Sequence, residues 1–237
     1  MKISSRSYHG FSGGPRFSMT ERIGHIADAV RVSELNIFAK QPPISNSPFK
    51  SAYQVPDVKS PALYIPTDVR MTFDILDHLD LTENLPKEEI KAADLGSGLG
   101  AFVLSFAAYS ANLKLRRFSI TGYEISRSLL AGAQKIAEEQ NIKKVRFIEK
   151  DFTQLVQDDF KKFNFIYIFC PFIKDFVDIM DNVYPRIAPE TLLLTRYCPD
   201  QGVLRSGLFR LIDIPLEELY GDAYFLYRRT NEKLLIH

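Results

Sequence analysis

Ala93-Asp94-Leu95-Gly96-Ser97-Gly98-Leu99-Gly100 is the stretch whose reading decides the fold. An acid and three alternating glycines lie between an apolar segment holding Ile90, Ala92 and Ala93 and another that begins Ala101-Phe102-Val103-Leu104. The first segment reads as the end of a buried parallel strand and the second as a helix, so the glycines occupy a strand-to-helix turn. Glycine lets such a turn bend sharply and lets a ligand come close to the amides. The helix start adds N–H groups that lack an intrahelical acceptor.

Working outward, Phe118 to Glu124 alternates apolar and small polar residues and ends in an acid just before Ser126, a good helix cap. The segment Val145-Arg146-Phe147-Ile148-Glu149-Lys150-Asp151-Phe152 repeats the pattern, a short strand followed by an acid and an aromatic. Three successive strands therefore end in Asp94, Glu124 and Asp151. Each acid alone reads equally well as a helix cap or a solvated carboxylate. At the carboxyl edge of an open parallel sheet, however, an acid can accept both hydroxyls of a ribose, and an Asp-Phe pair suits an adenine amine and ring.

An acid followed by G-x-G-x-G, here Asp94, Gly96, Gly98 and Gly100, resembles the first motif of the class I, seven-stranded methyltransferases that use S-adenosylmethionine. The resemblance covers roughly residues 85 to 230. It implies a three-layer, Rossmann-like α/β fold: a doubly wound sheet of seven mostly parallel strands that ends in an antiparallel hairpin. It also implies that the loop from Asp94 through Leu95, Gly96, Ser97 and Gly98 to Gly100 holds the methionine part of the cofactor. Glu124 with Ile125 would take the ribose, and Asp151 with Phe152 the adenine. Phe169, at the end of the fourth strand, completes the cofactor set.

The same glycines satisfy G-x-G-x-x-A through Gly96, Gly98 and Ala101, a permitted fingerprint for NAD(P)-dependent oxidoreductases. A dinucleotide sets its pyrophosphate on this turn, where the Asp94 carboxylate would repel it. S-adenosylmethionine brings an ammonium and a sulfonium instead, which the same acid attracts. The methyltransferase reading leads; the oxidoreductase and a non-catalytic adenosine-cofactor-binding module stand as alternatives.

With 237 residues, 46% of them hydrophobic, the chain can bury one substantial core and an appendage. The expected division is an N-terminal arm, helix and lid-like loop over residues 1–66, and the cofactor-binding domain over 67–237. Thirty basic and 29 acidic residues leave a formal charge of +1, which gives no strong nucleic-acid signal. No apolar run has the length of a membrane span, and the opening residues lack the apolar core of a secretory signal. The expected location is the cytoplasm. Cys170, Cys198 and the four scattered histidines have no metal spacing, so no metal is expected.

The opening segment, Met1 to Thr20, carries Lys2, Arg6 and Arg16 without an acid, while Gly10, Gly13, Gly14 and Pro15 interrupt any amphipathic helix there. It reads as a surface arm that packs on the active site or mediates a homodimer. Ile23, Ile26 and Val30 predict a helix from Glu21 to Phe38 capped by Thr20. A proline-broken lid follows over residues 41 to 61. Val69, Phe73, Leu76 and Leu79 then mark one face of a helix from Asp68 to Leu81, with Thr67 as its cap and His78 exposed. Tyr64-Ile65-Pro66-Thr67 ahead of that helix is similar to the lead-in of archaeal-type protein lysine methyltransferases. That resemblance implies that Tyr64 and Thr67 approach the methionine end of the cofactor.

Downstream, the pattern predicts a helix over Ser126 to Gln140, strands over Phe163 to Phe169 and Thr191 to Thr195 with a helix over Lys174 to Ile187 between them, and a closing hairpin of Leu208 to Ile214 with Ala223 to Arg228. In the methyltransferase class the loop after the fourth strand reads the acceptor. Here it is Phe169-Cys170-Pro171-Phe172, without the Asn or Asp that would orient a planar nitrogen. The expected substrate-contacting residues are Tyr53, Cys170, Pro171, Phe172 and Tyr197. They suggest an apolar gate around a lysine stem of a protein or around a small-molecule acceptor. No residue presents itself as a catalytic base, and in-line methyl transfer does not require one.

Overall fold

A computed structural model describes residues 18–39, 41, 52–55, 57–58, 63–81, 83–86, 88–113, 117–169, 176–196, 203, 206–212 and 224–231. Residues 1–17, with the arm expected to reach the active site or a second subunit, lie outside the described residues, as do Cys170, Pro171, Phe172, Tyr197 and Cys198.

Periodicity of two and of 3.6 alternate along the described chain. The elements are α1 (Met19–Phe38), β1 (Tyr53–Gln54), β2 (Leu63–Tyr64), α2 (Val69–Leu81), β3 (Ile90–Leu95), α3 (Ala101–Asn112), β4 (Phe118–Glu124), α4 (Arg127–Glu139) and β5 (Val145–Glu149). They continue with α5 (Gln157–Phe160), β6 (Phe165–Phe169), α6 (Phe176–Val183), β7 (Leu192–Arg196), β8 (Phe209–Ile212) and β9 (Tyr224–Arg229). Strands β3 to β9 form one sheet in the order β5-β4-β3-β6-β7-β9-β8. Every pair from β5 to β7 is parallel, and β9 runs antiparallel to both β7 and β8. This is the expected Rossmann-like sheet with its closing hairpin. The chain reverses its direction of travel across the sheet between β3 and β6, and the crevice beyond such a switch point is where open α/β sheets bind ligands.

Two apolar cores flank the sheet. One joins α1, α2, α3 and α4 through Ile26, Val30, Phe73, Leu76, Phe102, Phe106, Leu129 and Ile136 to one sheet face. The other joins Leu155, Phe160, Met180, Val183 and Ile187 to Ala93, Leu95, Ile166 and Ile168 on the opposite face. Helix α1 is thus built into the same core as the glycine turn, through Leu99 and Ala101. Its sequence also explains where it starts: Ser18 accepts from the Glu21 amide while Glu21 accepts from the Ser18 amide at 2.6 Å, a capping box that moves the cap from Thr20 to Ser18. At α2 the cap is Asp68, whose Oδ1 accepts from the amides of Arg70 and Met71 at 2.8 and 3.1 Å, and Thr67 stands one residue outside. His78 is half-buried on this helix, against the expectation of an exposed ring. In the expected lid, β1 and β2 pair as a short antiparallel ribbon with Tyr53 opposite Tyr64.

Gly100, the cap residue of α3, has φ +75°, and a Cβ there would lie 2.7 Å from the Phe147 ring of β5. The left-handed conformation alone disfavours any other L-residue by about 1–2 kcal/mol. Gly100→Ala is therefore expected to lower the urea midpoint of unfolding by at least that free energy, and an unchanged midpoint would contradict the turn geometry.

Candidate functional site

The glycine turn begins where β3 ends. Gly96, Gly98 and Gly100 all have positive φ, of 86°, 53° and 75°. That sequence of conformations folds the turn back on β4: the amides of Gly96 and Ser97 both donate to the Tyr123 carbonyl at 2.9 Å. The Gly98 amide donates to Glu124 Oε2 at 2.8 Å, and the Gly100 amide to the Ser97 carbonyl at 2.7 Å. A Cβ on Gly98 would lie 2.7 Å from the Tyr64 ring, so Tyr64 covers the turn from outside. Its hydroxyl donates to Glu34 of α1 at 2.6 Å. Phe38 stacks on both Tyr64 and Tyr53, with centroids 5.1 and 4.6 Å apart, which extends this cover into the β1–β2 ribbon.

The three strand-end acids occupy different electrostatic situations. Glu124 is turned onto backbone: Oε1 accepts from the amides of Ile125 and Ser126 at 2.8 and 2.9 Å, and Oε2 from Gly98. Three of about four acceptor positions are filled, so a ribose would share a carboxylate already in use. Burial raises its pKa, and the three amide bonds oppose that rise. Asp151 Oδ1 caps the turn at Phe152–Gln154, accepting from the amide and hydroxyl of Thr153 at 2.9 and 2.7 Å. Its other oxygen and the half-buried Phe152 adjoin the β5 end.

Asp94 is different. It is 3% exposed, and the amides of the adjoining turn go to Tyr123, Glu124 and Ser97 and not to its carboxylate. Burial, reinforced by the Glu124 charge, drives its pKa well above the ordinary carboxylate value. The adjoining Ser97 hydroxyl is buried without a hydrogen-bond partner among the described residues. A carboxylate held this deep is expensive to ionise, and a cationic ligand would favour its charged form. The donor set thus fits the ammonium and sulfonium of S-adenosylmethionine and opposes a pyrophosphate.

Across the switch point, Phe169, Arg196 and Tyr224 stand side by side at the ends of β6, β7 and β9. The Arg196 guanidinium lies 4.9 Å from the Phe169 centroid and 5.5 Å from that of Tyr224. One level deeper, burial raises the Tyr167 pKa strongly, with Tyr224, Arg196, Asp94 and Thr67 all close enough to modify it. Tyr64, Thr67, Phe169 and the acids thereby converge on one end of the sheet. Glu34, Asp57 and Arg196 join them without any sequence signal, because each arrives by tertiary contact from outside the motifs.

The family profile of the methyltransferase domain matches residues 86–212, more than half of the chain. This chain belongs to that methyltransferase family. S-adenosylmethionine is its methyl donor, and the nicotinamide alternative falls with that assignment. No curated protein matches in sequence. Among solved structures, the magnesium protoporphyrin IX methyltransferase ChlM from Synechocystis PCC 6803, with bound SAM, gives a TM-score of 0.50 at 12% identity over 92% of this chain and 100% of its own. MtNAS, in complex with MTA and tNA, gives 0.53 at 13% identity over 89% of this chain and 70% of its own. For the YcgJ protein from Bacillus subtilis the values are 0.42 and 18%, over 57% of this methyltransferase and 54% of that protein. These likenesses concern the fold. No described helix is long and apolar enough to cross a membrane.

For Asp94 the linkage sign is definite. A carboxyl whose pKa is raised by folding holds its proton more tightly when folded, so stability falls as pH rises from the unfolded value through the folded one. Near neutral pH, Asp94→Asn is therefore expected to raise the melting temperature of the cofactor-free methyltransferase. The same variant is expected to weaken S-adenosylmethionine binding by more than tenfold, about 1.4 kcal/mol. A lower melting temperature with unchanged calorimetric affinity would contradict both roles.

Proposed function

We propose that this methyltransferase transfers the methyl group to a small-molecule acceptor, with cofactor and acceptor meeting at the carboxyl ends of β3 and β6. The cofactor side is assigned residue by residue. Asp94, with Leu95, Gly96, Ser97, Gly98 and Gly100, takes the methionine end; Glu124 and Ile125 take the ribose; Asp151 and Phe152 take the adenine. Tyr64 and Thr67 close over the methionine end, and Phe169 separates cofactor from acceptor. When bound, the cofactor supplies an electrophilic methyl on a sulfonium.

The chain's own contribution is alignment and exclusion of water. The Asp94 charge attracts the cationic end of the cofactor while α3 leaves its first amides for the carboxylate. The covering Tyr64 and Phe38 rings exclude solvent from the turn. Tyr167, held protonated by burial, serves as a donor and not as a base.

The observation that favours a small molecule over a lysine is the Arg196 guanidinium seated on Phe169. The aromatic face that would hold a lysine stem is already covered by a guanidinium. A protein side chain is the second reading, supported by the Tyr64-to-Thr67 lead-in.

Methyl-labelled S-adenosylmethionine added with the enzyme to a cell extract discriminates the two. Label is expected in the low-mass fraction. Label in acid-precipitated protein would overturn the small-molecule reading, and label in neither fraction despite calorimetric cofactor binding would point to the non-catalytic module.

A further inference from the structure

We propose that Asp57, in the segment joining β1 to β2, is a positioning residue for Glu124 and thereby couples closure of the N-terminal cover to cofactor binding. The inference rests on the assignment of Glu124 to the cofactor ribose.

A continuous line of hydrogen bonds supports it. Asp57 Oδ1 accepts from the Ser126 hydroxyl at 2.5 Å, and Oδ2 from the Ser128 amide at 2.8 Å. Ser126 is fully buried, and its own amide donates to Glu124 Oε1 at 2.9 Å. Glu124 Oε2 then accepts from Gly98 in the cofactor turn. Asp57 thus fixes the residue whose amide orients the Glu124 carboxylate, from a position 69 residues away in sequence. Hydrogen bonds to an ionised acceptor are the strong kind, and the hydroxyl bond here is short.

Local capping does not account for this arrangement. Ser126 already caps α4 with its own hydroxyl, which accepts from the Leu129 amide at 3.2 Å. Asp57 adds a second, distant carboxylate to a helix start that has its cap, and it does so close enough to Glu124 for the like charge to raise that group's pKa, a smaller influence than burial. What it gains is a link between the β1–β2 segment and the start of α4. The ribbon that carries Asp57 also carries Tyr64, whose ring covers Gly98. The cover therefore touches both ends of Glu124's hydrogen-bond set, at Ser126 through Asp57 and at Gly98 through Tyr64. Any free energy by which the docked cover favours the bound cofactor must reappear as cofactor-induced docking of the cover.

Calorimetry with S-adenosylhomocysteine tests this on the full chain, comparing wild type, Asp57→Ala, Asp57→Asn and Glu124→Gln. Amide hydrogen exchange of Tyr53, Gln54 and Tyr64, with and without that ligand, is measured in parallel. Asp57→Ala is expected to weaken binding about tenfold and to abolish ligand-induced protection of the ribbon amides. Asp57→Asn, which keeps an acceptor oxygen without the charge, is expected to lie between Ala and wild type and serves if Ala fails to fold. A purely structural Asp57 would lower the unfolding midpoint and leave the ligand-induced protection intact, which would overturn the inference. Wild-type affinity in both Asp57 variants, beside a loss in Glu124→Gln, would overturn it alone. Normal binding by Glu124→Gln, or none by wild type, would remove the ribose assignment and this inference with it.

Discussion

A carboxylate that folding buries beside the glycine turn is the constraint around which this methyltransferase is organised. Asp94 sits near the carboxyl end of β3, where burial raises its pKa well above the ordinary carboxylate value. The neighbouring turn directs its amides elsewhere: Gly96 and Ser97 to the Tyr123 carbonyl, Gly98 to Glu124, Gly100 to Ser97. On the proposed assignment, the cationic end of the cofactor would favour the ionised form that burial disfavours, the usual exchange of stability for activity at a binding site.

Glu124 illustrates the opposite solution two positions away in the same sheet edge. Its backbone bonds hold the glycine turn and the α4 start in one geometry, so the carboxylate acts as a strut before it acts as a ligand. Adding the cover makes the strut continuous with α1 and the β1–β2 ribbon. Helix α1 contributes Ile26, Val30 and Phe38 to the same apolar core as α3, which gives the N-terminal part a firm base near the cofactor end. The far side of the switch point is different in character, with the Arg196 guanidinium lying over the Phe169 and Tyr224 rings at the ends of β6, β7 and β9.

The parts legible in the sequence were those encoded by local periodicity. Alternation and apolar runs marked the seven sheet strands to within one or two residues, and the inward face of α4, Leu129, Leu130, Ala133, Ile136 and Ala137, is the face that is buried. Cap positions were less legible because several neighbouring residues can cap. Thr20 and Thr67 were plausible, yet Ser18 wins through its reciprocal bond with Glu21, and Asp68 through two amides on one oxygen. The acids at the strand ends could be located and still not told apart, since periodicity carries no information on which carboxylate receives a donor. Asp57 and Glu34 were invisible for a related reason: their partners, Ser126 and Tyr64, are brought to them only by the packing of α1 and the ribbon.

Carbon-13 NMR of aspartate-labelled protein can follow the Asp94 carboxyl through a pH titration with and without S-adenosylmethionine. Without cofactor, the carboxyl is expected to titrate well above the ordinary aspartate range, and on binding its pKa is expected to fall as the cationic end of the ligand approaches. An ordinary aspartate titration in the free protein, or a raised value that the cofactor leaves unmoved, would contradict the claim that this buried charge is what the fold reserves for its ligand.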